Sequence, residues 1–113
     1  MATLYTRTFN FKDSLSNAEV LEPWRFLLDE VVPVVQKVNG IRSVKVYSGA
    51  GALRADLLFH FEMDDASAYE RLLVDSEVRK LLGKVYDAWD LKTAGQSFRR
   101  EVTSELIRAL SST

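Results

Sequence analysis

The stretch Leu57–Met63, LLFHFEM, constrains this chain more than any other, because its alternation divides it into two unlike faces. Successive side chains of a strand point to opposite sides. Leu57, Phe59, Phe61 and Met63 therefore share one side, while Leu58, His60 and Glu62, with Asp56 before them, share the other. The first face requires an apolar cover. The second is half polar, and what covers it is a separate question.

The flanking sequence supplies the cover. Thr3–Phe11, rich in β-branched and aromatic residues, predicts an opening strand. Ser16 and Glu19 stand at capping-box spacing, and Trp24, Leu27, Leu28, Val31, Val35 and Val38 then recur at helical steps. Pro33 lies inside that pattern, where it removes a backbone donor and crowds the carbonyl of Asp29, so a kink is expected there. Gly40 provides a left-handed stop. Two β-rich runs follow around Ser48–Ala52, a hairpin turn whose Gly-Ala-Gly lacks the helix N-terminus that a phosphate cradle needs.

Asp65, or a Ser67–Glu70 capping box, opens a second helix with Tyr69, Leu72 and Leu73, and Asp75 caps a further segment carrying Val78, Leu81, Leu82, Val85 and Trp89. Lys92–Gly95 is expected as a connector, the run from Gln96 to Thr103 as the last strand, and Ser104–Leu110 as a short terminal helix. The element order is βαββαβ, a single α+β domain over residues 1–113 with a ferredoxin-like antiparallel sheet and both helices on one face. In that topology the first and third strands are central and adjacent. Val44 and Val46 then join the helix side, and Ser43, Lys45 and Tyr47 face the other way with His60.

Composition narrows the function. The chain of 113 residues is 47% hydrophobic, enough for one core, and its 27% charged residues nearly cancel to a net charge of −1. No broad positive field exists to hold nucleic acid or anionic lipid. The absence of cysteine excludes disulfides and thiolate metal sites, and one histidine cannot build a multi-histidine metal site within one subunit. The N-terminus has no signal-peptide pattern and no apolar run suits a bilayer span, so the expected compartment is the cytoplasm, with no membrane partner.

A half-apolar sheet face left bare invites association, which predicts a homodimer. At this point the chain resembles the dimeric α+β-barrel superfamily, in which two ferredoxin-like subunits set their sheets face to face. The resemblance runs through the element order and is carried most by the third strand leading into DDASAYERLLVDSEVRKLL; Arg7–Lys12, RTFNFK, is similar to the opening of the NIPSNAP branch. It implies a pocket for a flat apolar or aromatic molecule. The superfamily includes cofactor-independent monooxygenases of aromatic polyketides, haem-degrading monooxygenases, polyketide cyclases, lactone isomerases and stress-induced proteins of unknown activity.

Candidate site residues follow from chemistry. Imidazole is the one side-chain type that titrates near neutrality unaided, which makes the single histidine, His60, the candidate proton-transfer group; its competing role is a polar filler or a hydrogen bond across the dimer. Arg7 offers a guanidinium for an enolate or carboxylate, and Tyr47 a phenol to orient a substrate oxygen. A salt bridge from Arg7 to Glu62 or Glu101 competes with that role, and Arg7 shares the strand parity of Tyr5, Phe9 and Phe11, which leaves its face open. Asp56 and Glu62 lie on the face of His60 and are placed to orient its imidazole, with Leu58 between them. Asn10 matches the first-strand asparagine that the resemblance implies for haem-degrading and quinone-forming members, but the second helix lacks the histidine that the haem enzymes use, so neither haem nor another cofactor or metal is expected. Trp24 and Trp89 are assigned to the core. Two functions remain open: a monooxygenase or cyclase-like enzyme without a cofactor, and a non-enzymatic, stress-associated or ligand-binding homodimer.

Overall fold

A computed structural model describes residues 2–49 and 56–111. Four antiparallel strands, β1 (Thr3–Phe11), β2 (Ile41–Ser48), β3 (Leu57–Met63) and β4 (Trp89–Arg100), pair in the order β2-β3-β1-β4. β1 is central: Tyr5 faces Phe61 of β3 on one side and Phe98 of β4 on the other. The helices α1 (Leu21–Phe26), α2 (Val32–Gln36), α3 (Ser67–Val74) and α4 (Ser76–Val85) lie on one face of this sheet, and α5 (Ser104–Ser111) follows β4. This is the ferredoxin-like α+β arrangement expected from the element order.

The alternation in β3 is complete. Leu57, Phe59, Phe61 and Met63 are buried, while Leu58, His60 and Glu62 are intermediate. Their helix-side neighbours are Tyr5, Phe9 and Phe11 of β1 and Val44 of β2, closed from above by Leu27, Val31, Val35, Leu72, Val78 and Val85. Phe11, Trp24 and Trp89 seal one end, with Phe11 stacked on Trp89 at 3.6 Å and Trp24 meeting Trp89 edge-on.

The helical segments follow local chemistry. Ser16 and Glu19 exchange both capping-box bonds, at 3.0 and 3.2 Å, although regular helix begins only at Leu21. The expected kink at Pro33 takes the form of a π-helical turn over Leu27–Val31, which joins α1 to α2. Its wider i→i+5 bonding, with the Val32 amide donating to the Leu27 carbonyl, accommodates the proline ring. Asp65 accepts from the Ser67 amide, and Asp75 accepts from the Val78 amide at 3.0 Å, separating α3 from α4.

Two expectations need correction. Trp89 belongs to β4 and not to the second helical region: i→i−3 bonds from Asp87 and Ala88 wind the chain off α4, and the Lys12 amide takes the Ala88 carbonyl to start the pairing of β4 with β1. Lys92–Gly95 is not a separate connector before the last strand. It lies within β4, where Thr8 faces Gly95 but Asn10 faces Asp90, so the extra residues form a bulge. The hairpin turn expected at Ser48–Ala52 falls partly outside the described residues; what is described is its closure, the Gly49 amide on the Asp56 carbonyl at 3.0 Å.

The chain measures 56 × 31 × 22 Å, with a radius of gyration of 16.1 Å. A compact chain of similar size would have about 13 Å. α5 is amphipathic yet buries none of its residues. Among the described residues, no helix is long and apolar enough to cross a membrane.

Gly40 has φ of +95°, and a Cβ there would lie 2.9 Å from Cβ of Ala68 and also against the Arg71 guanidinium. Gly40→Ala therefore combines a strained backbone with a clash at the α3 contact. Urea unfolding should show a loss of more than about 1 kcal/mol; unchanged stability would show that the α2–β2 junction tolerates a side chain.

Candidate functional site

The sheet divides the candidate residues into two groups. Arg7 lies on the helix side of β1, between Tyr5 and Phe9, and reaches a crevice between the sheet and α3 and α4. The crevice is lined by Val31 of the π-helical turn and Val35 of α2, Phe59 and Phe61 of β3, Tyr69 and Leu72 of α3, and Leu82 of α4 with Tyr86 just after it, among others. It holds about 490 Å³ of empty space when the open solvent at its mouth is included, and only a small part of that lies inside. The interior is thus narrow, and its opening lies beside Leu73, which is 45% exposed.

Arg7 is the one charged residue in this lining, which contains no histidine and no carboxylate. Its Nη1 donates to the Tyr5 hydroxyl at 3.4 Å, and that hydroxyl donates onward to Oε1 of Gln96 at 3.1 Å. The guanidinium carbon lies 5.0 Å from the ring centroid of Phe9, a cation–π distance. Burial pushes the Tyr5 phenol up to about 12, an effect that the Arg7 hydrogen bond and charge only partly offset. Burial works against the Arg7 charge too, but the hydrogen bond and charge coupling to Tyr5, joined by Tyr86 and Tyr69, outweigh it, and Arg7 is raised above its ordinary value. Tyr5 is accordingly a neutral donor at physiological pH, and Arg7 a fixed cation.

The salt bridge to Glu62 or Glu101 weighed for Arg7 is absent among the described residues. Glu62 lies on the other face, 3.8 Å from Arg42, which also binds Asp64 at 2.5 Å. Around Arg7 the neighbours are aromatic: Tyr5, Tyr69 and Phe98 form a trio with centroids 4.6 to 5.0 Å apart.

The remaining candidates occupy the opposite face. Leu58, His60 and Glu62 lie there with Tyr47, whose ring meets the imidazole edge-on at 6.3 Å, and Asp56 stands at the start of β3. Thr6 and Ser97 continue that face with a hydroxyl–hydroxyl bond of 2.5 Å. His60 does not line the crevice or the recess that Arg7 borders, and among the described residues its Nδ1 is buried without a hydrogen-bond partner. Asn10 is exposed, with its amide on Thr93 Oγ1 at 2.8 Å beside the β4 bulge. His60 and Arg7 thus do not share a site. No group of three or more potential metal ligands occurs among the described residues.

Tyr69, Tyr86, Gln96 and Phe98 join Arg7 without having been candidates. In the sequence Tyr69 reads only as part of an apolar helical face, and nothing there links Gln96 to Tyr5. The register of β4 on β1 makes that link.

No family model matches the chain, and no curated protein matches it either. Solved structures do. A dimeric protein of unknown function and ferredoxin-like fold from Bacteroides fragilis superposes with a TM-score of 0.72 at 14% identity, over 88% of this chain and 96% of that one. A monooxygenase of Streptomyces coelicolor, in complex with nanaomycin D, superposes with a TM-score of 0.71 at 11% identity, over 91% and 89% of the two chains. SnoaB, a cofactor-independent oxygenase from Streptomyces nogalater, gives 0.69 at 8% identity over 91% and 95%. At such identities the likeness is one of fold.

The raised Tyr5 pKa carries a sign. The folded chain holds that proton more tightly than the unfolded one, so the associated stability is complete below pH 10 and is lost as pH rises toward 12. In an ultraviolet titration of the four tyrosines, one should ionise late, and Tyr5→Phe should remove that late phase. Four tyrosines ionising together in the folded protein would contradict the burial of Tyr5.

Proposed function

We propose that this chain, which has the protomer fold of the dimeric α+β-barrel superfamily that its sequence resembles, is a homodimer that binds a planar aromatic or polyketide-like compound between sheet and helices, as a cofactor-independent monooxygenase or cyclase-like enzyme. The observation that carries this reading is the apolar, aromatic crevice with Arg7 as its one charge. A ring that parts the side chains of this narrow interior would stack on such walls, and a fixed guanidinium stabilises negative charge that develops on a substrate oxygen. The oxygenase structures of the same fold support the chemistry by analogy only.

Dimerisation is supported by two surfaces left open in one copy. The outer sheet face carries Tyr47, 49% exposed, whose ring meets the half-buried imidazole of His60 edge-on. Val102 and Ile107, near and on α5, are 70% and 52% exposed. A second copy against these surfaces would give His60 an interfacial role.

A second reading, a non-enzymatic ligand-binding homodimer, is favoured by the crevice having neither histidine nor carboxylate to accept a proton. Anthrone, a tricyclic ketone with an acidic methylene, separates the two. Binding with dioxygen consumption above the buffer rate, with no metal or flavin added, supports the enzyme, whereas binding alone supports the second reading. Leu73→Arg at the mouth should weaken anthrone binding by about tenfold or more, since it sets a charge in an apolar entrance, and His60→Ala should leave it nearly unchanged. The opposite pattern would move the site to the outer face. In light scattering the chain should be dimeric, and Ile107→Asp should shift it toward monomer; a monomeric wild type would remove the homodimer.

A further inference from the structure

Among the described residues, Arg7 is a guanidinium without a counter-ion. Arg25 pairs with Glu22, and Arg42 with Glu62 and Asp64, while no carboxylate pairs with Arg7 among the described residues. A guanidinium has five N–H donors in one plane. One donates to the Tyr5 hydroxyl and the π face rests near Phe9, which leaves the other donors without a protein acceptor among the described residues. Arg7 also borders a second recess, formed with Tyr69, Ala94, Gly95 and Gln96 at the β4 bulge, so it is approached from two sides.

Apolar walls strengthen the field of such a cation by holding water back. A ligand entering this space also finds no group able to take its proton, because the lining has no histidine and no carboxylate and Tyr5 is a neutral phenol there. A ligand oxygen that is to pair with Arg7 must therefore arrive as an anion or lose its proton to water. A neutral ligand oxygen can accept from Arg7 but leaves its charge without a countercharge, whereas an oxyanion supplies a charge-assisted hydrogen bond as well.

We propose that the Arg7 crevice selects planar aromatic oxyanions, phenolates or enolates, over their neutral counterparts, with the oxygen on the guanidinium and the ring against Phe59, Phe61 and Tyr69. This inference rests on the crevice being the ligand site and adds the charge state that the site requires. Affinity should consequently follow the ionisation of the ligand and not of any protein group.

The test uses 4-nitrophenol, whose phenolate is yellow and whose phenol is colourless, and its neutral methyl ether, 4-nitroanisole, with the full-length protein. Under saturating protein the pKa of 4-nitrophenol should fall by about one unit, equivalent to about tenfold tighter binding of the phenolate than of the phenol. Arg7→Gln should abolish that fall while retaining 4-nitroanisole binding, and Arg7→Lys should keep part of it. If 4-nitroanisole binds and the pKa of 4-nitrophenol is unchanged or raised, charge selection is wrong and the aromatic crevice stands. Binding of neither compound overturns both. The shift in the wild-type protein decides the matter even if Arg7→Gln does not fold.

Discussion

The central position of β1 governs this structure. Its residues pair with β3 on one side and β4 on the other, so their orientation is set twice, and a slip of one residue would exchange the two faces of the sheet. That double pairing drives Tyr5, Phe9 and Phe11 into the space under the helices. It carries Arg7 there with them. A charged side chain at an apolar parity is costly unless its surroundings supply partners, and here they are a phenol hydroxyl, an aromatic face and an opening.

The same register assembles the polar chain around the charge. Arg7 reaches Tyr5 within its own strand, and Tyr5 reaches Gln96 across the β1–β4 ladder. Beyond Gln96 and Gly95 the ladder breaks at the bulge. Gly95 allows close approach there, since a Cβ would lie 2.9 Å from Oγ1 of Thr8. The break frees the chain around Ala94 to form the second recess beside Arg7. Fold and candidate site therefore depend on one pairing, not on separate devices.

Much of the fold was legible in the sequence because its signals are local. Alternation in Leu57–Met63 gives the two faces, and Asp75 and Gly40 mark boundaries through their own backbone chemistry. Trp89 misled because it stands four residues after Val85 and continues the helical period, while the winding of the chain at Asp87 and Ala88 depends on pairing with β1 that no local pattern reveals. The site was less legible. His60 drew attention by its chemistry, and Arg7 by its charge, but parity joined Arg7 to Tyr5 and Phe9 while placing His60 on the reverse of the sheet. Tyr69, Gln96 and Phe98 come from distant segments that only the tertiary fold brings to Arg7.

The central claim is that ligand chemistry belongs to the helix side of the sheet and the His60 face to subunit association. Nitrogen-15 NMR of the Arg7 side chain, followed together with the imidazole of His60 during titration with 1-naphthoate, tests it most directly. The Arg7 Nε–H resonance and the ring signals of Tyr69 should move in saturable fashion while the His60 signals stay in place. Saturable movement at His60 and Tyr47 with none at Arg7 would contradict it.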